Sequence, residues 1–143
     1  MVAENQLQEK MTIERATQEI NEWLDYKKIS PKKRETHKDS IETLVDALQC
    51  GTIVIKEDKT IVHKLLFPIT VGPNEEVTTS EITYQPRIRV EALNLRLKGI
   101  SSNDVNGRLM GYVYAITKQP TNSLNGIDTE DLSIATAIAT FFI

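Results

Sequence analysis

Residues 51–67 read GTIVIKEDKTIVHKLLF, and here the chain changes period. The apolar residues come in β-branched runs, TIVI at 52–55 and TIVHKLLF at 60–67, on either side of the polar tetrad KEDK at 56–59. Two such runs joined by a short polar turn predict an antiparallel β-hairpin. Gly51 just ahead of them is a natural stop for a preceding helix, because glycine enters the left-handed region without a Cβ penalty. Strands on one side of Gly51 and helical periodicity on the other give an α+β fold.

Upstream, residues 1–10 are polar. From Met11 the apolar residues Ile13, Ala16, Ile20, Trp23 and Leu24 fall on one helical face. This helix should stop near Ile29, since Pro31 biases Ser30 away from helical dihedrals. Ser30 can then cap a second helix with Pro31 at its first position. The stripe of that helix comes late, at Ile41, Leu44, Val45 and Leu48. Residues 1–51 are therefore expected to form a helical hairpin and 52–143 an α+β domain. Around the corner of the hairpin lie Lys27, Lys28, Lys32, Lys33, Arg34 and Lys38 against one acid, Glu35. Two readings stand side by side: a contact for phosphate or an acidic protein, or a solvated turn.

Downstream, Pro68, Gly72 and Pro73 punctuate the chain, GPNEE is a turn and TTSEITY an edge strand. In RIRVEALNLRLKG (87–99), Ile88 and Val90 alternate with charge, as do Leu93, Leu95 and Leu97. The parity slips between Ala92 and Leu93, which predicts a strand with a bulge or bend. A helix competes, because LNLRLK has good helix formers. SSND (101–104) starts a helix with Ser101 or Ser102 as cap, followed by Val105, Leu109, Tyr112, Val113 and Ile116 on one face. Gly107 and Gly111 weaken it by roughly 1 kcal/mol each relative to alanine, and Gln119-Pro120 ends it. The domain should thus hold a small antiparallel sheet and two C-terminal helices.

The last segment is NGIDTEDLSIATAIATFFI, residues 125–143. A calcium loop needs oxygen ligands spread over twelve residues with a closing glutamate, and no carboxylate follows Asp131. Asp128 is instead expected to cap a helix, with Glu130 and Asp131 in its first turn, where the dipole favours negative charge. That helix is apolar nearly all round. Leu132, Ala135, Ala139 and Phe142 cover one face and Ile134, Ile138 and Phe141 another. It is either a central core helix or one with a surplus face. On the second reading Ile134, Ile138 and Phe141 form a protein interface.

A composition of 40% hydrophobic and 26% charged residues suffices for a core, which excludes a disordered chain. A net charge of −3 argues against a dedicated nucleic-acid coat. One cysteine, Cys50, permits no internal disulfide and fits a reducing compartment. No apolar leader opens the sequence and no run is long enough to span a bilayer, so an intracellular soluble protein, or one packaged into a larger particle, is expected. His37 and His63 have no ligand-spaced neighbours. No glycine-rich phosphate loop, HExxH or GxSxG occurs, and Glu75-Glu76 sit in a turn. The expectation is a binding protein, not an enzyme, with no metal and no cofactor.

Residues 64–142 together resemble the small tail assembly chaperones of long-tailed bacteriophages. That family pattern is a P-I strand, a strand leading into a "dl" helix, and a closing D-x-x-D-l helix with a terminal phenylalanine. Here KLLFPITVG supplies Pro68 and Ile69, LNLRLKGISSNDV supplies Asp104 and Val105, and GIDTEDLSIATAIATFF supplies Asp128, Asp131, Leu132 and Phe142. The first fifty residues have no counterpart in the pattern. The resemblance implies a non-enzymatic role: coating the tape measure protein and recruiting tail-tube subunits, as a homo-oligomer in the host cytoplasm. The rival expectations are a virion structural component (neck, baseplate or head accessory protein) and a nucleic-acid-binding regulator using the basic hairpin.

Overall fold

The computed structural model describes residues 7–143. It has an α+β fold. The N-terminal helix α1 spans Ile13–Tyr26, and its N-cap Thr12 accepts from the Arg15 backbone N–H at 3.2 Å. Its stripe Ala16, Ile20, Trp23 and Leu24 is buried as the spacing predicts. The expected second helix is two helices, α2 (Pro31–Thr36) and α3 (Lys38–Gln49), broken at His37. Ser30 caps α2 through the Lys33 N–H, with Pro31 in the first turn. The break has a packing cause. At φ −111° His37 leaves the helical region, and its ring meets Phe141 edge-on at 6.0 Å. Gly51, at φ +75°, ends the helical half.

Strands β1 (Ile53–Ile55), β2 (Ile61–Val71) and β3 (Glu76–Tyr84) form an antiparallel sheet in the order β1-β2-β3. The KEDK turn closes through a Lys56–Thr60 backbone bond of 2.9 Å, with Lys59 in the left-handed region at φ +70°. Register runs evenly from Ile61↔Tyr84 to Lys64↔Glu81, then jumps to Ile69↔Thr79. The irregular stretch contains Pro68, which has no N–H to give a ladder.

After β3, Gln85 donates to Ile116, and the chain enters α4 (Val90–Leu97). This corrects the strand predicted there. No partner strand is at hand, so helix propensity wins over a period-2 pattern. Helix α5 (Val105–Thr117) is capped by Asp104, not by Ser101 or Ser102: its carboxylate accepts from the Gly107 N–H at 2.9 Å. Gly111 is where α4 meets α5, since a Cβ there would lie 2.5 Å from a Leu97 methyl. Helix α6 (Thr129–Ala139), capped by Asp128, runs into a 3-10 turn over Thr140–Phe142. Three α-helices thus follow the sheet, rather than two.

Residues of α1, α3, the sheet, α5 and α6 share one apolar core, from Ala16 and Leu44 through Ile61 and Ile116 to Ile138. The division expected at Gly51 therefore separates no two cores: the helical half and the sheet half bury each other.

Candidate functional site

Helix α6 does not present the interface expected of it. Ile134, Ile138 and Phe141 are 7%, 0% and 2% exposed, so all three belong to the core and leave no face for a partner. Leu132 and Phe142, assigned to the core by the same reasoning, are only half-buried. The cause lies in what flanks the helix. Phe141 is clamped between Trp23, edge-on at 6.0 Å, and His37, which draws this side of the tail onto α1 and α3.

Asp131 goes further inside than a first-turn carboxylate should. It is fully buried and takes three donors. The backbone N–H groups of Leu66 and Phe67 reach its two oxygens at 2.8 and 3.0 Å, and His63 Nε2 lies 3.0 Å from Oδ1. Those two N–H groups belong to the irregular stretch of β2 just before Pro68. The carboxylate supplies the acceptors that the sheet does not. His63 Nδ1 lies 2.9 Å from the Tyr84 hydroxyl, and the two rings stack at 5.9 Å. Burial, opposed by Asp131, holds the His63 pKa below its ordinary value. Burial, aided by Asp131, holds that of Tyr84 well above. A neutral His63 can serve both neighbours only if Nε2–H donates to Asp131 and Nδ1 accepts from Tyr84 O–H. His63 and Asp131 are each fully buried and Tyr84 is 1% exposed, so the three reach no solvent-side substrate and act as a fastener between sheet and tail helix.

The basic cluster is divided. Lys27 Nζ donates to the Pro86 carbonyl at 2.9 Å and sits 3.4 Å from the Phe142 ring centroid. Burial, then repulsion from Arg87 and Lys33, lowers its pKa to about 8. Lys33 donates to the Ile143 backbone oxygen at 2.8 Å. Arg34 bonds the Ile29 carbonyl and pairs with Asp25 at 2.7 Å, and Lys38 lies 3.7 Å from Glu35. Lys28 and Lys32 are exposed. Lys27, Lys33 and Arg34 thus tie the corner to its surroundings. Among the described residues, no group of three or more His, Cys, Asp or Glu side chains is placed to hold a metal ion. None of the helices is long and apolar enough to cross a membrane.

The surplus apolar surface lies instead on α4. None of its eight residues is buried, although five are apolar: Val90 is 72% exposed and Leu95 76%. One side of α4 borders a groove of about 770 Å³ lined by Arg87, Ile88, Arg89, Glu91, Ala92, Leu95, Arg96, Ala115 and Lys118. The other side borders a second depression of about 550 Å³, with Leu95 again, Leu97, Asn94, Glu91, Lys98 and Arg108. Leu95 is therefore the ridge between the two. These residues escaped the sequence reading because a strand assignment placed Leu93, Leu95 and Leu97 on one face. On a helix Leu93 and Leu97 turn towards α5 and Leu95 turns away. Comparison with family models, with curated proteins and with solved structures finds no match for this chain.

Proposed function

We propose that this chain is a non-enzymatic tail assembly protein of a long-tailed bacteriophage that acts by binding other proteins, the tape measure protein and tail-tube subunits among them. The observation that carries the protein-binding reading is α4: a helix with no buried residue, on which Val90 and Leu95 stand exposed and Leu95 separates two grooves. Large apolar side chains left exposed beside grooves and edged by charge are a feature of protein contacts. The groups that looked most chemical in the sequence support the same reading. Asp128 and Asp104 are spent on helix caps, and Asp131 and His63 on the sheet fastener. The assignment to tail assembly rests on the resemblance over residues 64–142. Of the residues that carry it, Asp131 accepts from the amides of Leu66 and Phe67, next to Pro68.

The test is to co-express the chain with a tape measure protein and a tail-tube subunit from the same genome. The mixture is then run on size exclusion with light scattering. A co-eluting complex that Leu95→Asp abolishes, without loss of fold, is expected. If neither protein co-elutes, the tail-assembly reading fails.

A further inference from the structure

The two grooves beside α4 differ from the rest of the molecule in charge. Arg87, Arg89, Arg96, Lys98, Arg108 and Lys118 line them, against the single carboxylate of Glu91, on a chain whose net charge is −3. These cations are little used by the fold: the only bonds their side chains make among the described residues are a 3.7 Å contact of exposed Arg89 with Glu91 and a 3.2 Å bond from Arg96 to Thr121. Between the grooves stands the apolar ridge of Leu95, and Ala92 and Ile88 line the first groove beside it. We infer that α4 is the docking rail for an acidic amphipathic helix of a partner protein, whose apolar stripe straddles Leu95 and whose carboxylates lie over the flanking cations. This rests on the protein-binding reading above and names the chemistry of its partner.

Shape and charge select this occupant. A helix laid along a groove reads apolar anchors at helical spacing, and two parallel depressions either side of a ridge accept the rows of side chains a helix presents. A planar anionic bilayer would meet the ridge and leave both depressions empty. A phosphate backbone would gain from the cations but not from an apolar ridge at their centre. A second copy of this chain would have to bring an acidic helix. Its α1 carries Glu14, Glu19, Glu22 and Asp25, but its stripe Ala16, Ile20, Trp23 and Leu24 is buried in its own core.

The experiment titrates the full chain against a fluorescent synthetic peptide with leucines at helical spacing and glutamates on both flanks, monitored by anisotropy. A scrambled peptide of the same composition, duplex DNA and anionic vesicles are run beside it. Binding is expected, at least roughly tenfold weaker for the scrambled peptide and for both Leu95→Asp and Leu95→Ser, the neutral variant separating lost contact from added repulsion. Arg89→Glu with Lys98→Glu should weaken binding by a further factor of several and flatten its salt dependence. Circular dichroism of each variant should match the parent. The inference is overturned if the designed peptide does not bind, if the scrambled peptide, DNA or vesicles bind as well or better, if the Leu95 variants bind unchanged, or if light scattering shows that Leu95→Ser only dissociates a homo-oligomer. A chain that holds the tape measure protein but not the peptide refutes this inference alone. One that holds the peptide but neither phage protein refutes only the tail-assembly reading.

Discussion

Asp131 is the residue on which sheet and tail depend together. A buried carboxylate is costly to desolvate and is stable only when fully hydrogen-bonded. Here the acceptor capacity is met by two strand N–H groups and one imidazole. Asp131→Ala leaves the buried His63 and the two strand amides without their acceptor, and should cost about 3–5 kcal/mol in urea melts. Asp128→Ala removes only a cap and should cost about 1 kcal/mol. Equal losses would mean that the fastener is not real. The same network makes stability pH-dependent. The His63 pKa is lower in the folded chain than its ordinary 6.5. Below 6.5 the unfolded chain therefore takes up a proton that the folded chain refuses, and stability is lost as pH falls towards the folded value. Melting temperature should drop as pH falls below about 6.5, and His63→Gln should flatten that drop while lowering the whole curve. An identical pH profile in the variant would show that His63 is not the titrating group.

At the scale of elements, local chemistry was legible and long-range chemistry was not. Ser30-Pro31, Gly51, the KEDK turn and Asp128 act where the sequence places them, because caps and turns are settled within four residues. Asp131 reads in sequence as a dipole residue, since nothing near it shows that His63 and the Leu66 and Phe67 amides will face it. The available signal was Pro68 inside an apolar strand, which implies a bulge and amides in need of an acceptor. Helix α4 was misread because two leucines turned inward and one turned outward imitate alternation. In α6 apolar residues surround the axis, so no stripe marks which face is inner. Gly111, which counted only as a weak point in α5, is the seat of Leu97. Gly111→Ala should gain up to about 1 kcal/mol of helix propensity yet lose roughly 1–3 kcal/mol to overpacking, a net destabilisation. Adding Leu97→Ala should recover part of the loss, a non-additive cycle in chemical melts. Strict additivity would place α4 elsewhere.

For the whole molecule, the distribution of apolar side chains decides what the chain can do. The core draws in Ile134, Ile138 and Phe141 of the tail. Trp23 and His37 each meet Phe141 edge to face, and Lys27 roofs Phe142. Among the apolar side chains that remain outside are Val90 and Leu95 of α4, a helix bounded by cations and held to the body at Gly111. The central claim is that partners meet α4 and not α6, and a contrast between two aspartates tests it most directly. Burying a charge at Phe141 should unfold the chain, because the site is closed on all sides. The same substitution at Leu95, 76% exposed, should leave stability within ~0.5 kcal/mol. Circular dichroism and co-elution with the partner are measured on both variants. If partners meet α4 and not α6, Phe141→Asp loses its helical signal, and Leu95→Asp keeps its signal and loses its partner. A folded Phe141→Asp that has lost its partner, beside a Leu95→Asp that still binds, would contradict it.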